Sequence, residues 1–267
     1  MTTLPERIDE QYSALTPQER RAADFMRAHL DDLAVYNATE VAGLSGVSKA
    51  TVSRLYRRLG FDSAEALRDH VRTLRGAPRV SEHPADLDSH LERELANLRA
   101  ALTGLDLAPA AALIAEARRV LVIGFRTSYP MALHLRQQLS QARDAVAVAP
   151  QPGQSIGEEI ASLDARDVVV LVGFPRRPRE FGTLVGVLEA SPVKVVLLTD
   201  ATGRRYTGRA DETVEVAVGS ISAFDSYAAV ASVIALLSSA VLAADPPRGR
   251  ARLAAIGTAY ESLRELE

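Results

Sequence analysis

Ala42-Gly43-Leu44-Ser45-Gly46-Val47-Ser48-Lys49-Ala50-Thr51-Val52 decides the first half of the fold, because it meets three needs of a tight helical turn at fixed spacing. Ala42 is small where two helix axes approach, Gly46 tolerates the positive φ of a turn four residues later, and Val52 supplies an inward apolar side chain. Ser48 is a good N-cap, so a helix is expected from Ser48 to Leu59, with Gly60 as its left-handed stop. A short helix starting near Thr39 precedes it. Two short helices joined by Ser45-Gly46-Val47 read as a helix-turn-helix. Upstream, Thr16-Pro17-Gln18-Glu19 is a capping box with proline at the first helical position, which predicts a helix over residues 17–30.

On the helix after the turn, Val52, Leu55, Tyr56 and Leu59 recur at helical spacing and form one inward stripe. Ser48, Lys49, Ala50, Thr51, Ser53, Arg54 and Arg57 are left for the outer face. Small, hydroxyl and basic side chains near a helix N-terminus can enter a major groove, where arginine reads guanine edges and the others meet bases or phosphates. Charge follows the same division. Residues 1–47 carry four arginines against eight carboxylates, net −4, whereas residues 48–75 carry seven basic residues against three carboxylates, net +4. A basic stretch thus sits inside a chain of net charge −3, as a double-stranded DNA operator would require. A further helix from Asp62 to about Gly76 carries Arg68, Arg72 and Arg75, available for phosphates or for pairing with Asp69 and Glu65.

The chain of 267 residues is long enough for two cores. Periodicity breaks over Gly76-Ala77-Pro78-Arg79-Val80-Ser81-Glu82-His83-Pro84, which places a helix-turn-helix domain at 1–77, a linker at 78–84 and a second domain at 85–267. Beyond it Leu91, Leu95, Leu98, Leu102 and Leu105 alternate spacings of four and three. They fit either a helix packed on its own domain or a dimer seam. With no cysteine, a disulfide framework and thiolate metal sites are excluded, which fits a reducing compartment. The opening Met1-Thr2-Thr3-Leu4-Pro5-Glu6-Arg7 lacks the apolar core of a signal peptide, so a cytoplasmic protein is expected. Ala228 to Ala244 is almost wholly apolar but falls short of the roughly 20 residues of a membrane span, and it reads as a buried helix, with no membrane partner.

From Arg119 onward, short apolar runs alternate with helical stretches: Val120–Ile123, Ala145–Ala149, Val168–Val172, Val193–Leu198 and Thr213–Val218. This pattern predicts a mainly parallel five-stranded sheet covered on both faces, and the fold class is α/β: an all-α helix-turn-helix domain followed by a doubly wound α/β sandwich. Ligands of such sheets bind beyond the carboxyl ends of the strands. The loops to watch are therefore Gly124-Phe125-Arg126-Thr127-Ser128-Tyr129 and Gly173-Phe174-Pro175-Arg176-Arg177-Pro178-Arg179. The first lacks the second and third glycines of a dinucleotide fingerprint, and the second strand ends in Ala149-Pro150-Gln151 without a ribose-binding carboxylate. No cofactor, metal ligand or catalytic residue is expected. Thr127 and Ser128 stand just before a helix starting near Pro130, where they either cap the helix or help bind an anion.

Taken together, the chain resembles the RpiR family of bacterial regulators, which join a helix-turn-helix to a sugar isomerase (SIS) domain. The likeness rests on Leu15-Thr16-Pro17-Gln18-Glu19-Arg20-Arg21, on Gly46-Val47-Ser48-Lys49-Ala50-Thr51-Val52, and on Leu59-Gly60-Phe61. It implies a transcription regulator controlled by a small sugar and acting as a homodimer or homotetramer. In SIS domains a Thr-Ser or Ser-Ser pair after the first strand and a Ser-x-Ser-Gly-x-Thr loop after the third hold a sugar phosphate. Thr127 and Ser128 match the first element. The second is replaced by Gly173-Phe174-Pro175-Arg176-Arg177, so hydroxyls give way to guanidinium groups that suit phosphate and carboxylate alike. The expected ligand residues are Arg126, Thr127, Ser128, Arg176, Arg177 and Ser226, with Asp225 beside them, for a small anionic sugar, either a phosphate or an acid. Arg176, Arg177 and Arg179 have surface pairing with Glu180 or nearby acids as the competing role. An isomerase would need a general base, for which Glu158 and Glu159 are the candidates; a DNA-binding protein without a ligand is the other alternative.

Overall fold

A computed structural model describes residues 4–30, 33, 36–76, 86–221 and 224–265, with the backbone alone for Asp69 and residues 72–76. The chain divides into two units, one built on residues 1–84 and one on residues 85–221 and 225–267. The linker expected at 78–84 lies outside the described residues.

The first unit contains α1 (Leu4–Gln11), α2 (Pro17–Ala28), α3 (Ala38–Ser45), α4 (Lys49–Arg58) and α5 (Ala64–Gly76). At the start of α2 the capping box forms as expected: the Glu19 amide donates to Thr16, and the Glu19 carboxylate accepts from the Thr16 amide at 2.9 Å. The helix ends at Ala28, two residues short of the expected stop. A second capping box, unforeseen, opens α3, where Asn37 accepts from Thr39 and Glu40 and Glu40 accepts from the Asn37 amide. Gly46 ends α3 at φ 68°, and the Val47 amide reaches back to the Ala42 carbonyl at 3.0 Å. This left-handed cap satisfies the last carbonyls while turning the chain within three residues. Val52, Leu55, Tyr56 and Leu59 are all buried, as their spacing requires, against Leu4, Ile8, Ala22, Met26 and Val41.

The second unit opens with α6 (Leu87–Leu102) and α7 (Ala108–Glu116). It continues β1 (Arg119–Gly124), α8 (Tyr129–Ala142), β2 (Val146–Ala149), α9 (Ile156–Ile160), β3 (Asp167–Gly173), α10 (Glu180–Glu189), β4 (Lys194–Thr199), β5 (Glu212–Glu215), α11 (Ala228–Ala244) and α12 (Pro246–Leu263). All five strands run parallel in the order β2-β1-β3-β4-β5. Side chains alternate between the faces. Val120, Val122, Val168, Val170, Val196 and Leu198 join the core beneath α7, α8 and α11. Leu121, Ile123, Val169, Leu171, Val195 and Leu197 join the core beneath α10. Both faces are thereby covered, which is why these strands read as unbroken apolar runs.

Helix α11 is the apolar run 228–244, and Val230, Val233, Ile234, Leu237 and Val241 are buried in the first core. No single helix among the described residues is long and apolar enough to cross a membrane. At the amino end of the sheet, Asp167 is fully buried and accepts from Arg118 at 2.6 and 3.0 Å and from the Asp164 amide at 3.0 Å. Arg118 holds this carboxyl below its usual range against the opposing effect of burial.

Candidate functional site

Strand order reverses direction between β1 and β3, so the switch point of the sheet, where ligands of doubly wound folds bind, lies beyond the carboxyl ends of these strands. Two loops border it, Phe125–Ser128 and Phe174–Arg179. Gly173 at the end of β3 has no room for a side chain, since an added Cβ would lie 2.2 Å from the Phe181 ring. The chain must therefore leave the strand there as bare backbone.

The two neighbouring hydroxyls of the first loop do different work. Ser128 is buried, and its Oγ accepts from the Phe174 amide at 3.0 Å, tying the two loops together. Neither serine nor threonine caps α8: no side chain accepts from the first amides of that helix. Thr127 and Arg126 are exposed, and Arg126 has a left-handed backbone, φ 53°. The hydroxyl of Tyr227, just before α11, is buried, lies against Thr127 and makes no hydrogen bond of good geometry. Burial pushes the Tyr227 phenol above its ordinary range. Its ring meets Phe174 edge-on at 5.7 Å.

The arginines of the second loop also divide. Arg176, again left-handed at φ 62°, stays half-exposed at the switch point with Nη2 3.6 Å from Asp225. Arg177 turns inward, its side chain only 9% exposed, and pairs with Asp200 at 2.5 Å. It also donates to Thr202 and Thr199 and to the Gly173 carbonyl, at 2.7–2.8 Å. Arg177, expected among the ligand groups, uses four of its five N–H donors to bind β3 to the turn after β4. Both arginines meet nearby acids, Arg176 facing Asp225 and Arg177 facing Asp200, which is the competing role expected of them. Ser226 is half-buried and accepts from the Ala228 amide at 3.5 Å at the entry to α11. Sequence reasoning missed Tyr227, Asp200 and Thr202. Thr199-Asp200-Ala201-Thr202 carried a signal, since Asp200 accepts from the Thr202 amide as a cap does. Glu158 is exposed on α9, after the edge strand β2 and one strand away from the β1–β3 switch point.

In the first unit, Ser48 caps α4 by accepting from the Thr51 amide at 3.1 Å, and its Oγ lies 2.9 Å from the Thr51 hydroxyl. Thr51 itself is buried, which corrects its assignment to the outer face. It sits four residues before Leu55 and belongs to the inward stripe. Its hydroxyl still takes part, accepting from Arg54 Nη2 at 3.4 Å and orienting that guanidinium. Ser48, Lys49, Ala50, Arg54 and Arg57 are exposed, and Ser53 is half-buried. Arg68 reaches the Tyr36 carbonyl at 3.5 Å; the side chains of Arg72 and Arg75 lie outside the described residues. Beside α4, Glu19 is buried, yet hydrogen bonds from Thr16 and the nearby Arg58 hold its carboxyl below the usual range despite desolvation.

The geometry defines a two-module protein, a helix-turn-helix with an exposed basic helix and a doubly wound α/β domain with its switch point between β1 and β3. Residues 2–73 match the helix-turn-helix domain of the rpiR family, and residues 113–244 match the SIS domain. The chain belongs to the RpiR family, in which those two domains are joined. Among solved structures it is similar to the sugar isomerase domain of an RpiR transcription factor from Sphaerobacter thermophilus, with 21% identity over 63% of this chain and 96% of that one and a TM-score of 0.59. It is also similar to the Vibrio vulnificus NanR protein complexed with ManNAc-6P, with 17% identity over 98% of this chain and 99% of that one and a TM-score of 0.61. No curated protein matches the chain.

Proposed function

We propose that this chain is a cytoplasmic transcription regulator, not an enzyme, whose residues 1–77 bind a DNA operator and whose residues 85–267 bind a small anionic sugar that changes operator affinity. The observation that carries the reading is the exposed row Ser48, Lys49, Ala50, Arg54 and Arg57 on α4, a helix held by a helix-turn-helix turn. Arg54 is the base reader, with Thr51 as the residue that aims it; Ser48 and Lys49 meet phosphate, and Ser53 lies at the edge of the contact. The protein acts as a homodimer or homotetramer, because helix-turn-helix readers pair two half-sites.

The effector sits beyond the carboxyl ends of β1 and β3, its anionic group between Arg126, Thr127 and Arg176 near the start of α8, whose dipole favours negative charge. Ser128 and Ser226 support this site through the backbone they hold. The NanR structure contains a sugar phosphate, which supports a sugar at this switch point. Arginine in place of the serine loop makes a sugar acid an equal candidate. The test is a duplex-binding titration with a selected palindromic site. Arg54→Ala is expected to weaken the selected site by about 1–3 kcal/mol while changing random DNA far less. Equal losses on both would make Arg54 a phosphate anchor and remove the base-reading assignment.

A further inference from the structure

Helix α6 presents a leucine stripe that its own unit does not cover. Leu87, Leu91, Leu95 and Leu102 are 80%, 56%, 40% and 40% exposed, whereas Asn97 and Ala101 are buried and Leu98 packs on the core. At about 100° per residue, the four leucines fall within about 80° of arc, beside the inward face rather than opposite it. Asn97 fixes the helix by donating to the Gly219 carbonyl at 2.7 Å. The stripe is thus a rigid apolar ridge that water wets at a cost. Leu98, at the edge between this ridge and the core, completes the alternating four-three spacing of Leu91, Leu95, Leu98 and Leu102.

We propose that α6 pairs antiparallel with α6 of a second copy of this chain. Charge selects both the occupant and the direction. On the solvent flank of the stripe the first half of the helix carries Glu92 and the second half Arg99, one heptad apart, and both are exposed. A parallel pair would leave Glu92 and Arg99 of one copy on the opposite side of the seam from those of the other, with no pairing between them. An antiparallel pair with its two-fold axis between Leu95 and Leu98 sets Glu92 of each copy near Arg99 of the other. The same register brings Leu91 opposite Leu102 and closes the ridge. The self-complementary pattern is what a two-fold interface requires of one surface. Helix α6 begins at Leu87, just after the expected linker, so the pairing would also fix where the two linkers end.

The proposal rests on the homo-oligomeric reading above and names its surface. Because the chain has no cysteine, introduced thiols report without background. In the full-length protein, the double variant Leu91→Cys/Leu102→Cys is expected to form a covalent dimer under mild oxidation, since those positions meet across the axis, while either single variant does so at least tenfold less. In sedimentation equilibrium, Glu92→Arg is expected to raise the dimer dissociation constant about tenfold and Glu92→Arg/Arg99→Glu to restore it. Cross-linking by Leu91→Cys alone would show a parallel pair and overturn the assignment. A dimeric wild type with neither cross-link nor charge effect would place its interface elsewhere and sink this proposal alone. A wild type that sediments as a monomer at every concentration would remove the homo-oligomeric reading as well.

Discussion

Thr127 and Ser128 adjoin in sequence and differ in consequence. Ser128→Ala strands the buried Phe174 amide, which costs about 1–3 kcal/mol, so the melting temperature should fall measurably. Thr127→Ala removes an exposed hydroxyl and should leave the unliganded melting temperature in place while reducing the stabilisation given by a bound sugar anion. A Ser128→Ala protein with unchanged melting would contradict the loop-tying role. Arg177 poses the same question with charge. Arg177→Ala leaves the buried Asp200 without its cation, and by the usual cost of breaking such pairs the loss is about 3–5 kcal/mol, read by urea denaturation. Arg177→Lys should recover only part of it, because an ammonium cannot reach Thr199, Thr202 and the Gly173 carbonyl at once.

At the scale of elements, Glu19 ties acid stability to one helix terminus. Its folded-state carboxyl titrates below the unfolded value, so the stabilisation is present above the unfolded pKa of about 4.3 and is lost as pH falls through the folded one. Thermal unfolding followed by circular dichroism between pH 7 and pH 3 should show a smaller acid-induced drop for Glu19→Gln than for the wild type. An equal drop would assign the acid sensitivity to other carboxylates, Asp167 among them. This terminus was legible in the sequence because Thr16, Pro17 and Glu19 act on one another within a single turn. So were the Gly46 turn and the strands, whose continuous valines leave no polar face. The sequence did not reveal contacts that close only in space: Ser128 meets an amide 46 residues away, and Arg177 meets Asp200 23 residues away. Arg177 and Arg176 are identical as letters, and only the backbone decides that one turns in and the other out. Thr51 is different: its spacing from Leu55 already marked it as inward, and its hydroxyl suggested otherwise.

For the whole molecule, an effector that alters operator affinity must have its own affinity altered by the operator by the same factor, several-fold to about a hundredfold in typical couplings. Calorimetric titration of the sugar with and without a saturating duplex measures this directly. Equal affinities in the two titrations would show the sugar site and the recognition helix to be independent, and the regulator reading would lose its mechanism. The charges at the sugar site add a condition: Arg126 and Arg176 are exposed, so the sugar's affinity should weaken as salt rises.

The hydrogen bond between Phe174 and Ser128 gives the sugar site a clock. A backbone proton locked between two loops exchanges with solvent only during the moments when they part, so its exchange rate counts those moments. A sugar lying across both loops would lengthen the intervals, and one amide among all those in the chain would record the occupancy of the site without any label attached to it.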